Sequence, residues 1–207
     1  MATATPGKPE TAARPEPPVF NLPNQLTAGR FVLALVLFAL IAYGLWIWCG
    51  VVFALAALTD WLDGYFARKQ GLVSTLGRNL DPLVDKVLIC GAYTFLLPYG
   101  YAAGWLVPWM VTVVVARELI ITSLRSFLEN RGATFGADWL GKLKMVLQCA
   151  ALLGVFAYLY AEGTVPGWAS PLGLARDVLI YGMLASTALS GLQYLWKAAQ
   201  LLHEPPR

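Results

Sequence analysis

Residues 60–86 read DWLDGYFARKQGLVSTLGRNLDPLVDK, and this stretch decides the fold. It sets four carboxylates, Asp60, Asp63, Asp81 and Asp85, between two long apolar segments. Asp60 and Asp63 stand three residues apart, and Gly64 and Ala67 follow Asp60 by four and seven. On a helix those offsets share one face. Asp81 and Asp85, four apart, share a face of the next helix, and Gly77 begins the approach to that pair. Four acids converging at the mouth of a helix pair, beside small residues that admit a ligand, predict a metal site.

The surroundings of the acids set the class. Of 207 residues, 58% are hydrophobic and 13% charged, and the mean hydropathy is +0.60. A soluble domain holds about 45–50% apolar and about 25% charged residues, so the composition predicts an integral membrane protein with a single helical domain. A formal charge of +3 is too small to argue for nucleic acid. Cys49, Cys90 and Cys149 lie in apolar surroundings with no CxxC spacing, which gives neither a disulfide framework nor a zinc site. We read them as small buried hydrophobes. The one histidine, His203, falls in the polar C-terminal tail (203–207), which argues against histidine chemistry inside the membrane. Residues 1–18 are rich in Ala, Pro, Thr and Glu, with no apolar core of a signal peptide. They predict a disordered tail, and residues 19–202 the membrane domain.

Within that domain the chain divides into six transmembrane helices. Residues 19–27 predict a short interfacial segment, interrupted at Pro23 and capped by Asn24. A first helix containing Arg30 ends near Gly44, and a second runs from about Trp48 to Arg68, with Asp60 and Asp63 at its polar end. Asp81 near the cap and Pro82 in the first turn open a third helix that reaches Leu97, followed by a turn over 98–104. A fourth helix spans Trp105 to Phe127, and Lys142 and Lys144 open a fifth that ends near Tyr160. A loop over 162–175 holds Pro166 and Pro171, and a sixth helix covers 178–199. Arg68, Lys69, Arg78, Arg125, Arg131, Lys142 and Lys144 all fall in or beside links on one side, and Lys197 and Arg207 follow the last span. The other side has only Arg176. The positive-inside rule places both termini and the carboxylates at the cytoplasmic face.

Acids at membrane depth are costly unless paired or bound to a cation. Salt bridges to Arg68, Arg78 and Lys86 are the plain reading; a cation site is the sharper one. Oxygen ligands without His or Cys select Mg²⁺ or Mn²⁺ over zinc, and four carboxylates suit a two-metal centre that clamps a phosphoryl group.

The spacing D-x2-D-G-x2-A-R-x8-G-x3-D-x3-D, occupied by Asp60, Asp63, Gly64, Ala67, Arg68, Gly77, Asp81 and Asp85, resembles the signature of the CDP-alcohol phosphatidyltransferases. The resemblance implies a six-helix membrane enzyme, usually a homodimer, in which an alcohol displaces CMP from a CDP-linked lipid. It implies that Asp60, Asp63 and Asp81 bind metal, and that Asp85 is both a ligand and the base that takes the alcohol's proton. Ser74 matches a nucleotide-contacting hydroxyl of the family, and Asn24 and Thr27 match contacts near the first helix. On the residues alone these three read equally well as caps or polar groups of links. The side-chain chemistry agrees with the family's activity: Gly64 and Ala67 leave room for a nucleotide against the backbone, and Arg68 offers a planar fork to a phosphate.

Further stretches extend the likeness: NLPNQLTAGR (21–30), TDWLDG (59–64), LDPLVDK (80–86), ARELIITSLR (116–125), GKLK (141–144) and LQYL (192–195). They resemble the branch whose acceptor is sn-glycerol 3-phosphate and whose donor is CDP-diacylglycerol, in the bacterial inner membrane. A phosphorylated acceptor needs a cationic pocket, for which Arg30, Arg117, Arg125, Lys142 and Lys144 are the candidates. Arg117 and Arg125, eight residues apart, lie on roughly one face of the fourth helix. For Arg117 the plain alternative is a pair with Glu118, and for the two lysines an anchor at a helix end. Two positions depart from the branch: Met145 stands where it usually has threonine, and a proline late in the first helix is absent. Rival readings are a relative of the same family that accepts phosphatidylglycerol, and a divalent-cation transporter. The arginine pair argues against the first, and acids gathered at one end of the helices against the second.

Overall fold

The computed structural model describes residues 22–70, 75–129 and 139–203. Among them all regular structure is helical: α1 (Leu22–Ala42), α2 (Trp46–Gln70), α3 (Thr75–Ala103), α4 (Pro108–Glu129), α5 (Trp139–Thr164) and α6 (Pro166–His203). The tail expected over 1–18, Ser74, Arg131 and residues 204–207 lie outside the described residues. Among these residues, four stretches are long and apolar enough to cross a membrane: Gln25–Ala42, Pro82–Ala103, Trp139–Thr164 and Pro166–Gln200. α2 carries a shorter apolar part, Trp46–Thr59, before its charged end. The apolar run of α4 is broken by Arg117, Glu118 and Arg125.

Each helix turns one stripe inward. On α1, Thr27, Arg30, Ala34, Leu37 and Ile41 recur at helical spacing and are buried, while Val32, Leu35 and Val36 are exposed. Apolar side chains on both the packed and the open faces mark a helix surrounded by hydrocarbon rather than water. α1 lies against α2 and α3; α5 runs along α6 and also touches α2 and α3; α4 bridges α3 and α6. Stacked Phe38 and Phe95, with centroids 4.9 Å apart, join α1 to α3. The Tyr93 hydroxyl donates to the backbone carbonyl of Gln148 at 3.1 Å and so joins α3 to α5. At the far end Arg176 lies over Tyr158, 4.0 Å from the ring centroid, pinning α6 to α5.

Several boundaries correct the sequence reading, and proline is the common reason. α1 already begins at Leu22, so Pro23 sits in its first turn and Asn24 is helical rather than a cap. α3 begins at Thr75, which puts Asp81 and Pro82 inside the helix instead of at its start; Pro98 is internal too. The expected loop over 162–175 is helical except at Val165: Pro166 opens α6 and Pro171 falls near its start. Proline fixes φ at a helical value and lacks only an N–H that the first turn leaves unbonded. In membrane helices internal proline is tolerated because neighbouring helices and local adjustments satisfy the backbone group it frees; one turn on, Lys86 Nζ donates to the Pro82 carbonyl itself at 2.8 Å. The fourth helix starts at Pro108, not Trp105, and α6 extends through His203.

Two glycines end helices as the sequence leads one to expect. Gly44 and Gly104 have φ of 69° and 78°. Leu45 N–H reaches back to the Leu40 carbonyl, and Trp105 N–H to that of Gly100, each at 3.0 Å, the six-to-one bond of a Schellman motif. A Cβ on Gly104 would meet nothing within 4 Å, so substitution there tests backbone conformation alone. Gly104→Ala is expected to destabilise the protein by about 1 kcal/mol and Gly104→Asn by less, measured by thermal unfolding in detergent.

Candidate active site

Among the described residues, α2 and α3 make no close backbone contact; α1 flanks both on one side and α5 on the other. Between these four helices lies a cavity of about 70 Å³, lined by Arg30 of α1, Phe53, Ala56 and Ala57 of α2, Asp85 of α3, and Cys149 of α5 among others. The acid motif continues the two helices that contribute this lining, and of its residues Asp85 lines the cavity. Asp60 follows Ala56 by four residues and Ala57 by three, the next turn of the same face, and Asp63 and Gly64 occupy the turn after. On α3, Asp81 precedes Asp85 by one turn. The two halves of the motif therefore occupy two helices that face each other across one cavity. For Asn24, Asp60, Asp63, Gly64, Ala67, Arg68, Gly77 and Asp81 the backbone is helical, and their side chains lie outside the described residues.

Arg30 is buried, with 1% of its side chain exposed, whereas Asp85 keeps 39%. Arg30 Nη1 donates to Asp85 Oδ1 at 2.9 Å. A guanidinium at this depth requires an anion, and the pairing fixes the carboxylate at the edge of the cavity. Thr27, one turn before Arg30, is also buried.

A second cluster lies between α3, α4, α5 and α6. Glu118 accepts from Lys144 Nζ and from Arg117 Nη1 at 3.3 Å, so one carboxylate serves two cations. Arg117 Nη2 donates to Ser190 Oγ on α6 at 3.0 Å, and Ser190 donates in turn to the Thr187 carbonyl. Gly191 makes room for the Arg117 stem: a Cβ there would stand 3.4 Å from Arg117 Cγ. Arg117 Nε is buried without a hydrogen-bond partner among the described residues.

The five cations read from sequence as one pocket thus fall into separate places. Arg117 and Lys144 meet at Glu118, so the pair that the sequence left as an alternative for Arg117 is formed. Arg30 serves Asp85. Arg125 turns towards α6, where its Nη2 donates to the Tyr194 hydroxyl. Lys142 is exposed, two residues from Lys144 and so on another face. Sequence reasoning missed Glu118 as the hub, and Ser190 and Tyr194 as the partners of the two arginines. It also missed Gln148, fully buried, with both amide atoms lacking hydrogen-bond partners among the described residues. The available signal was the four-residue spacing of Lys144 and Gln148 in an otherwise apolar helix.

The family model described as CDP-alcohol phosphatidyltransferase matches residues 20–189. A Bacillus subtilis protein is 35% identical over 150 residues, covering 65% of this chain and 75% of its own. Proteins of Yersinia enterocolitica, 32% identical over 193 residues (89% and 98% of the two chains), and Pectobacterium atrosepticum, 34% identical over 194 (90% and 99%), are similar along almost their full lengths. All three are named CDP-diacylglycerol–glycerol-3-phosphate 3-phosphatidyltransferase.

Removing Glu118 would leave two buried cations against each other. Glu118→Ala is expected to cost about 3–5 kcal/mol of stability. Glu118→Ala combined with Lys144→Met should recover part of that loss, as read from thermal unfolding of the single and double variants.

Proposed function

This chain belongs to the CDP-alcohol phosphatidyltransferase family, and from that premise we propose that it transfers the phosphatidyl group of CDP-diacylglycerol to sn-glycerol 3-phosphate. The products are phosphatidylglycerophosphate and CMP, a step of phospholipid biosynthesis. The observation that carries the reading is Asp85, held by buried Arg30 at a cavity lined by the two helices that carry the acid motif. The shared name of relatives that align along nearly the whole chain supports this acceptor over phosphatidylglycerol.

In this reading Asp85 accepts the proton of an acceptor hydroxyl. That oxygen bonds to the phosphorus bearing the diacylglycerol, and the bond from this phosphorus to the oxygen of CMP breaks. Arg30 keeps the carboxylate oriented towards the reacting hydroxyl. The alternation of Gly64 and Ala67 on the acid face leaves space for the nucleotide, and Arg68, Ser74, Gly77, Asn24 and Thr27 complete the CDP-lipid contacts. Arg117 and Lys144 supply positive charge for the acceptor's phosphate. Glu118 holds them in place, and the buried Arg117 Nε retains a donor to give. Arg125 and Lys142 add charge at the entrance.

The family depends on divalent cations. The donor set fits a hard ion: oxygen ligands only, at offsets of three and four on continuous helices. Asp60, Asp63, Asp81 and Asp85 would hold two Mg²⁺ or Mn²⁺ ions, whose chemistry is to neutralise the diphosphate and its departing oxygen. Six spans, with both termini and the acids at the cytoplasmic face of the inner membrane, are supported by the asymmetry of basic residues between the two sides. α2 and α4 complete their spans with charged ends, and a homodimer follows the family's habit.

Purified protein supplied with Mg²⁺ or Mn²⁺ is expected to release CMP from CDP-diacylglycerol only when glycerol 3-phosphate is present. Release with phosphatidylglycerol in its place would overturn the acceptor. Asp85→Asn is expected to lower turnover about 10²–10⁴-fold while binding of the CDP-lipid, measured by calorimetry, persists; undiminished turnover would remove Asp85 from the role of base.

A further inference from the structure

Gln148 is fully buried in α5, and neither atom of its amide has a hydrogen-bond partner among the described residues. Among them it is the only buried side chain that leaves both a donor and an acceptor unused. The next buried positions of the helix, Ala151, Leu152 and Val155, are apolar. Burying an amide without partners is costly, so its retention in this core calls for a use.

Its place in the fold narrows that use. On α5, Met145 and Cys149 line the cavity beside Asp85. Lys144 and Gln148 each precede one of these, about 100° round the helix, and both are buried. They form a stripe, one turn or about 6 Å long, that borders the cavity. Lys144, at one end of it, joins the Arg117–Glu118 cluster. Gln148, at the other, is tied to the helix of Asp85, because the Tyr93 hydroxyl donates to its backbone carbonyl. Side chains of an α-helix lean towards its N-terminus, which for Gln148 is the Lys144 end. The amide therefore stands at the border between the carboxylate of Asp85 and the cations of the second cluster.

We propose that Gln148 is a specificity-determining residue that hydrogen-bonds the acceptor's secondary hydroxyl. The inference rests on the glycerol 3-phosphate reading. With the primary hydroxyl at Asp85 and the phosphate at Arg117 and Lys144, the secondary hydroxyl falls between them. A hydroxyl both donates and accepts, and a primary amide offers the complement of each: Nε2 donates to the hydroxyl oxygen, and Oε1 accepts from its O–H. A buried site built to pair a substrate hydroxyl discriminates strongly against an analogue without it, because its polar groups are then left unpaired.

The test compares CMP release from CDP-diacylglycerol with glycerol 3-phosphate and with 3-hydroxypropyl phosphate, which keeps the primary hydroxyl and the phosphate but lacks the secondary hydroxyl. The wild-type protein should favour glycerol 3-phosphate by about 10²-fold in kcat/KM. In Gln148→Met that preference should fall to within about threefold, through loss on the glycerol 3-phosphate side alone. The same variant should keep or raise thermal stability in detergent, since it replaces an unpaired buried amide by an apolar chain of similar size. Gln148→Asn, which keeps the amide but draws it back, should give an intermediate preference and carries the test should the methionine variant fail to fold. A wild-type protein indifferent to the secondary hydroxyl, or a preference unchanged in the variants, would overturn the assignment. So would an equal loss with both acceptors, which would make Gln148 a structural amide served by a buried water. A wild-type protein that releases no CMP with glycerol 3-phosphate would refute the acceptor reading itself, a result separate from any of these.

Discussion

A buried charge in a membrane protein has to meet its opposite, and this constraint organises the structure around two carboxylates. Water at that depth is too scarce to solvate a guanidinium. Arg30 of α1, all but 1% buried, therefore holds Asp85 of α3, and Glu118 of α4 is shared by Arg117 and by Lys144 of α5. These contacts tie the helices at the polar end, where apolar packing alone would leave rotation and depth loosely set. The same constraint explains why Arg117 reaches to Ser190 and Arg125 to Tyr194: each remaining donor is costly unless it finds an acceptor.

The proposed chemistry draws on how these pairs are spaced. Asp85 remains partly open to the cavity while its partner is buried, which suits a carboxylate that must reach an incoming hydroxyl and keep its orientation. The Arg117–Glu118–Lys144 group carries one more positive than negative charge, so it remains attractive to a phosphate after its internal pairing is satisfied. An unpaired cluster of cations would repel itself; a neutral one would offer a phosphate nothing. One acid between two bases meets both demands.

Proline marks the limit of local reading. At Pro82, Pro98, Pro166 and Pro171 the sequence suggested helix starts, turns or a loop, and each lies within a helix. In water a lost backbone bond and its exposed carbonyl end a helix readily. Within a bundle, neighbouring helices and local adjustments of the helix satisfy the freed group. Glycine behaved more predictably, because positive φ at Gly44 and Gly104 is a property of the backbone itself.

The sequence by itself determined the helical membrane class, the six helices, the acid motif and the family. All of these are encoded in composition and in spacings along one chain, where helical periodicity converts directly into a shared face. The tertiary structure alone decided which cation serves which acid. Arg30, Arg117, Arg125, Lys142 and Lys144 look alike as a list of bases, yet one holds Asp85, two share Glu118, one turns to Tyr194 and one faces outward. Such pairings join residues tens of positions apart on different helices, and they depend on the rotation and depth of each helix, which no local pattern encodes.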